Sequence, residues 1–330
     1  MRLITARAAD RDRLGAILPG DPHLFLDVAA AAALRGQPAA GTESMLALVE
    51  GGDRALDAVA GLLADPPAEA VIPLASVALR APLPSPRRLR DSSLFIEHLE
   101  VGIQRLAAME AAGADDPEAR YAELIASEYR LPEIYYQRIL YYQGDPIFTS
   151  GHEEEIVWPA GSTSPDFELE WAAVVGRGGA NVAPETAHRH LFGYTIFNDW
   201  TARDVQMELM AQGLGFSEAK DFAGSNGFGP CLVTTDELSD VRDLTMRARV
   251  NGEEWAVGST GRMRSTFEDA VVQLSTQGPL VPGEIIGSGT VVGGCGFDHG
   301  RALADGDEVE LEVEGIGILR NRIRLGAHRG

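Results

Sequence analysis

The spacing of apolar and polar positions changes several times along the chain, and each change marks an element. Residues 2–6, 14–18 and 23–27 are short, mostly apolar runs that predict strands. Two alanine-rich stretches, residues 28–34 and 43–63, predict helices. Residues 81–90 read APLPSPRRLR, and the prolines there remove ladder donors and fix an extended path. That segment reads as a linker between a small N-terminal α+β domain over residues 1–80 and a larger unit over residues 91–330. Within the larger unit, residues 91–140 are expected to be helical: Leu94, Phe95, His98, Ile103 and Leu106 recur near helical spacing, and glycine and aspartate break the run at residues 113–116. The remainder predicts strands at residues 171–175, 194–197, 231–234, 244–250, 285–292 and 308–313, separated by Gly, Pro, Asn and Asp. Helices are expected near residues 201–210 and 266–274.

A chain of 330 residues with 45% hydrophobic content can bury a large core. Its formal charge of -21 repels phosphate backbones and anionic membrane surfaces, which disfavours nucleic acid and membrane partners. The same acidity means that an anionic ligand needs a local cation to receive it. Two cysteines, Cys231 and Cys295, without CxxC spacing argue against a disulfide scaffold and a cysteine zinc site. The N-terminus lacks an apolar signal-peptide core and no apolar run approaches membrane-spanning length, so the cytoplasm is the expected compartment.

The chemistry concentrates in carboxylates. In Asp166-Phe-Glu-Leu-Glu-Trp-Ala-Ala-Val-Val, Glu168 and Glu170 stand two apart on an apolar strand, so both point to one face. Two carboxylates so close repel, and a divalent cation compensates both. An ExE pair on its own commonly faces solvent, but the WAAVV run that follows is too apolar for a strand with one wet face. Asp199 ends a further strand just where a helix is expected; an aspartate there commonly caps the helix, and alternatively adds a third carboxylate. Oxygen ligands favour Mg²⁺, Mn²⁺ or Ca²⁺ over zinc. His188 and His190 are left out of the ligand set because the oxygens suffice.

Several separated motifs, DFELEWAAVVG, GYTIFNDWTARDVQ, KDFAGSNGFGP, VPGEIIGSGTVVGG and LADGDEVELEVEGIGILRNRI, occur in an order that resembles the fumarylacetoacetate hydrolase family across roughly residues 91–324. The resemblance implies a mainly β, α+β fold built on a mixed β-sandwich roll, a homodimer, and a Mg²⁺ or Mn²⁺ requirement. It adds Asp91 to Glu168, Glu170 and Asp199 as the metal ligands, and it implies that His98 activates water. Lys220, Arg203 and Gln206 match groups lining the metal and oxyanion region, and Arg203 and Gln206 stand three apart on one helix face. Thr290 matches a hydroxyl that holds a substrate carboxylate. Ser93 stands where an aromatic often shapes the pocket, and Tyr141 or Tyr142 supplies the pocket tyrosine. Glu97 and Glu100 neighbour His98 in sequence, but no acid is assigned as its partner. Residues 91–142 are expected to form a helical lid carrying His98.

The implied reaction is Mg²⁺-dependent hydrolysis of a carbon–carbon bond in a small acylpyruvate or 1,3-diketo acid. Decarboxylation, isomerisation or dehydration of a 2-oxo acid needs the same enolate-stabilising cradle and is the second class. A catalytically silent metal-binding protein is the third.

Overall fold

The computed structural model describes residues 1–8, 11–36, 41–213, 215 and 217–326. Among them one large sheet runs through the molecule in the order Val71–Pro73, Asp21–Asp27, Arg11–Leu18, Arg2–Ala8, Asn226–Thr234, Leu191–Asp199, Leu169–Val175, Glu284–Gly287, Arg88–Ser92, Tyr141–Gly144. A second sheet is ordered Glu253–Ser259, Thr245–Val250, Glu308–Val313, Gly317–Leu325, Glu155–Trp158. Most pairings are antiparallel; Glu284–Gly287 runs parallel to Arg88–Ser92. The result is the mainly β, α+β architecture expected from the sequence.

Strand parity explains how the large sheet buries both faces. Along Leu169–Val175 the odd residues Leu169, Trp171, Ala173 and Val175 enter a core shared with Met246, Ala248, Leu311 and Leu319 of the second sheet. The even residues Ala172 and Val174 join Phe197, Phe228 and Ile285 against the helix Met45–Ala64. Successive side chains alternate faces, so a strand with apolar residues at every position must be covered on both sides. Glu168 and Glu170 have the even parity and continue that second row beyond its apolar part.

Capping fixes the helix starts. Asp27 accepts from the Ala30 amide at the start of Val28–Leu34, Ser44 accepts from Ala47 at the start of Met45–Ala64, and Thr266 with Asp269 forms a capping box on Phe267–Gln277. Asp116 caps Pro117–Ser127 with proline at its first turn.

Two expectations change. Residues 91–140 are not helical from their start: Asp91 lies on the strand Arg88–Ser92, hydrogen-bonded on both sides, and the helix begins only at Ile96. Leu94 and Phe95, which open the helical spacing, are buried in the short connection between that strand and the helix. Asp199 is also not a helix cap, since the helix Arg203–Gln212 starts four residues later with Ala202 at its N-cap. The strand Arg2–Ala8 pairs with Asn226–Thr234 and with Ala78–Leu79, so the N-terminal strands extend the same sheet that carries the acidic motifs.

Leu48 is fully buried in the cluster beneath this sheet. Leu48→Ala should lower unfolding free energy by about 2–5 kcal/mol through the cavity it leaves, measured by urea denaturation; a change within error would mean that the helix Met45–Ala64 does not close this face in solution.

Candidate metal and catalytic centre

The even row of Leu169–Val175 ends in carboxylates, and three strands bring them together. Asp91, Glu170 and Asp199 each place a ligand atom within 4.8 Å of the others'. Glu170 and Asp199 are fully buried and Asp91 nearly so. Asp91 reaches in from Arg88–Ser92, where its register partner is Gly287. A Cβ at Gly287 would overlap the Asp91 carboxylate and lie 3.1 Å from the Phe197 ring, so only glycine leaves room for this acid. The Gly289 amide donates to Asp91 Oδ1 at 3.0 Å, and Thr290 Oγ1 donates to Glu170 Oε1 at 3.2 Å.

Glu170 Oε2 and Asp199 Oδ1 are buried without a hydrogen-bond partner among the described residues. Desolvated carboxylate oxygens without partners are costly unless a proton or cation reaches them. Burial pushes the Glu170 carboxyl well above its ordinary range, and Asp91 and Asp199 beside it push the same way. Asp199 is pushed up to about 8, because burial together with Glu168 and Asp91 outweighs the Lys220 ammonium. Asp91 is raised by burial too. Three acidic oxygens of this kind, two of them unpartnered, fit a hard divalent cation.

Glu168 is held differently. Its oxygens accept from Arg203 Nη2 at 2.6 Å and from Lys220 Nζ at 2.7 Å. Burial pushes Glu168 up, but Lys220, Arg203 and His98 outweigh it and hold the carboxyl below its ordinary range. Lys220 also donates to Asp199 Oδ2 and to Thr201 Oγ1, so its ammonium ties Glu168 to Asp199. The structure therefore groups three of the four expected ligands directly and sets Glu168 at their edge in a charge-paired role.

The other expected residues fall into place unequally. Arg203 Nη1 donates to Gln206 Oε1 at 2.7 Å, the shared contact that their spacing implies. Tyr142 donates to Asp199 Oδ2 at 2.8 Å, whereas Tyr141 is exposed and donates to Gln277. Adjacent residues of a strand point to opposite faces, so only one of the two tyrosines can enter the centre. Ser93 is tied to the backbone of Leu140. His98, in the first turn of Ile96–Ala111, has Nδ1 3.0 Å from Asp298 Oδ2.

Two acids escaped the sequence reading. Asp298, the partner of His98, lies 200 residues away on the four-residue helix Gly296–His299, too short to leave a periodic signal. Asp166 accepts from Arg203 Nε at 2.8 Å and from the amides of Gly296 and Phe297 at 2.8 and 3.0 Å, linking the arginine to the short helix that carries Asp298. Its signal was visible: Asp166, Glu168 and Glu170 share one strand parity. His190 bonds the Arg177 carbonyl through Nδ1, outside this centre.

Two outcomes follow. Gly287→Ala should abolish or strongly weaken Mn²⁺ binding in calorimetry while leaving the far-UV circular dichroism intact; undiminished binding would remove Asp91 from the ligand set. The proton linkage has a definite sign. The folded-state value of Asp199 is raised from 3.8 to about 8, so between those values the folded metal-free protein holds a proton that the unfolded chain has released, and stability falls as pH rises through the window. A cation must displace that proton, so the rise in Tm given by Mg²⁺ or Mn²⁺ should be larger near pH 8 than near pH 6, with proton release on binding. A pH-independent rise would show that these carboxylates are ionised before the cation arrives.

Comparison with known proteins agrees with this architecture. The family description "Fumarylacetoacetate (FAA) hydrolase C-terminal" matches residues 120–324. The chain is 33% identical over 201 residues to an oxaloacetate tautomerase of Bacillus subtilis, covering 60% of this chain and 64% of that protein. It is 34% identical over 174 residues to a mitochondrial oxaloacetate tautomerase of Homo sapiens, covering 52% of this chain and 55% of that protein. The matched segment thus spans less than two thirds of either relative. Among solved structures, a fumarylacetoacetate hydrolase from Exiguobacterium antarcticum superposes with a TM-score of 0.72 at 26% identity, covering 99% of this chain and 100% of that one. A maleylpyruvate hydrolase from Sphingobium sp. SYK-6, solved with manganese(II) and pyruvate, shares the fold with a TM-score of 0.70 at 22% identity, covering 99% of this chain and 100% of that one. With its fold, its ordered motifs and the family match across residues 120–324, the chain belongs to the fumarylacetoacetate hydrolase family.

Proposed function

We propose that this protein is a divalent-cation-dependent enzyme that passes a small 2-oxo acid or 1,3-dicarbonyl compound through its enolate, and that keto–enol tautomerisation of a 2-oxo dicarboxylate such as oxaloacetate is its reaction. The observation that carries the reading is the buried group Asp91, Glu170 and Asp199 with two unpartnered oxygens, flanked by Lys220 and Arg203. The curated relatives at 33% and 34% identity support the choice of reaction.

Asp91, Glu170 and Asp199 would hold Mg²⁺ or Mn²⁺. Each Glu168 oxygen keeps a second lone-pair direction, so Glu168 can offer a fourth ligand while it holds Lys220 and Arg203. A cation bound there supplies Lewis-acid polarisation of a substrate carbonyl. The chain's own groups do the rest. Arg203, oriented by Asp166, and Gln206 beside it present donors to a substrate carboxylate or oxyanion. The Lys220 ammonium, stabilised in its charged form by Asp199 and Glu168 despite its burial, offsets negative charge that develops on the substrate. Thr290 offers a hydroxyl at the Glu170 side. Asp298 accepts from His98 Nδ1–H, which leaves Nε2 as the proton acceptor, and a base oriented in this way moves a proton to or from the substrate carbon. The helices Ile96–Ala111 and Pro117–Ser127 pack on each other and, as a lid, would bring His98 over the substrate.

Hydrolytic carbon–carbon cleavage of an acylpyruvate is the second reading, and the His98–Asp298 pair favours it. An imidazole backed by a buried carboxylate is what activation of a water molecule requires. The protein's assembly as a homodimer and a cytoplasmic location are part of the proposal; among the described residues no helix is long and apolar enough to cross a membrane.

The test follows oxaloacetate enol loss and pyruvate release from acylpyruvates, with Mg²⁺ or Mn²⁺ present. Tautomerisation without carbon–carbon cleavage supports the first reading, and stoichiometric cleavage supports the second. His98→Ala should lower kcat by about 10²-fold or more with cation affinity nearly unchanged, and Asp298→Asn should lower kcat and shift its pH profile with little effect on KM. Full activity in His98→Ala would remove the proton-transfer role from the pair.

A further inference from the structure

A second group of ligand atoms, of different chemistry, lies beside the oxygen group. His98, Cys295 and Asp298 each present one ligand atom within 4.8 Å of the others'. Cys295 is fully buried at the start of the short helix Gly296–His299, and its backbone bridges to Glu168. The Asp298 side chain is only 1% exposed. Its Oδ2 accepts from the Gly293 amide at 2.9 Å and faces His98 Nδ1, while its Oδ1 is buried with no partner among the described residues. An imidazole, a thiol and a desolvated carboxylate oxygen that lacks a donor thus converge on one small volume.

The geometry points to a site for a thiophilic divalent cation, Zn²⁺ in chemistry, held by His98, Cys295 and Asp298 and separate from the oxygen group of Asp91, Glu170 and Asp199. Sulfur, nitrogen and a carboxylate oxygen form a ligand set that zinc accepts tetrahedrally, with a fourth position left for water. Mg²⁺ prefers the all-oxygen group, so the two sites sort cations by softness. Zinc bonds of about 2.0–2.3 Å place tetrahedral ligand atoms roughly 3.3–3.8 Å apart, against 3.0 Å between His98 Nδ1 and Asp298 Oδ2 and a group that lies within 4.8 Å, so a small side-chain adjustment completes the geometry. His98, a partly exposed side chain in a first helical turn, can supply that movement. The nearby Arg203 guanidinium is already paired with Asp166 and Glu168 and adds no unpaired positive charge. On binding, the thiol proton passes to solvent as Sγ bonds the cation, and the cation takes the place of the Nδ1 proton between His98 and Asp298, the neutral imidazole carrying its proton on Nε2 instead. Zinc would then hold the His98–Asp298 pair out of proton transfer. That last consequence rests on the function proposed above; the site itself does not.

The test uses the full chain, stripped of metal, saturated with Mg²⁺ and titrated with Co²⁺ as a spectroscopic stand-in for Zn²⁺. The expected result is one equivalent of Co²⁺ giving a thiolate-to-cobalt charge-transfer band and tetrahedral visible bands, both erased by added Zn²⁺. Cys295→Ser should lose the charge-transfer band, while Cys231→Ser and Glu170→Gln should keep it. His98→Ala should weaken Co²⁺ binding by at least about tenfold, since loss of a ligand costs no less than loss of its supporting contact. Absence of the charge-transfer band in the folded wild type overturns the proposal, and so does its persistence in Cys295→Ser. If Cys295→Ser does not fold, undiminished Co²⁺ affinity in His98→Ala overturns it as well. Turnover is not read in any arm, so these outcomes are independent of whether the protein is a tautomerase or a hydrolase.

Discussion

Like charge held in a dry place is the constraint on which this molecule depends. Five buried carboxylates, Asp91, Asp166, Glu168, Glu170 and Asp199, share one end of the large sheet with two buried cations, Arg203 and Lys220. The salt bridges of these two cations go to Asp166, Glu168 and Asp199, which leaves Asp91 and Glu170 without a salt bridge among the described residues. A low-dielectric setting magnifies this imbalance, and only protons or a bound cation relieve it. A site with that imbalance built in has a standing demand for positive charge, and an anionic substrate can be accepted there despite the acidic surface once a cation answers it.

Holding repelling groups together requires rigid support, and the sheet provides it from both faces. Trp171 packs on Tyr194 and Phe267 on one side, while Phe197 stacks on Phe228 on the other at 4.7 Å. The parallel pair Arg88–Ser92 and Glu284–Gly287 is pinned by a buried ion pair between Arg90 and Glu284, one residue from Asp91. That pair fixes the strand, Gly287 clears the space, and the Asp91 carboxylate is left one position to occupy. Rigid elements place charged groups more accurately than loops do.

The His98–Asp298 pair is built on different ground. His98 comes from the helix Ile96–Ala111 and Asp298 from the short helix Gly296–His299, rather than from a strand. Asp166 is the connector: it accepts from Arg203 and from the amides of Gly296 and Phe297, so the position of the arginine and that of the short helix bearing Asp298 are coupled through one carboxylate.

Local pattern by itself marked many of the strands and most helices of this chain, the acidic strand with Glu168 and Glu170 on one face, and the shared helix face of Arg203 and Gln206, because two-residue and three-to-four-residue periods are properties of neighbours. The family motifs carried Asp91, Asp199, Lys220 and His98 into the same candidate site. Only the tertiary structure decided that Asp91 stands on a strand, since a strand buried on both faces has no alternation to betray it. It also chose Tyr142 over Tyr141, turned Glu168 toward Lys220 and Arg203, and supplied Asp298 to His98 and Cys295 to both. Those decisions are contacts between residues tens to hundreds of positions apart, fixed by sheet register and by which oxygen finds a donor, and no period along the chain encodes them.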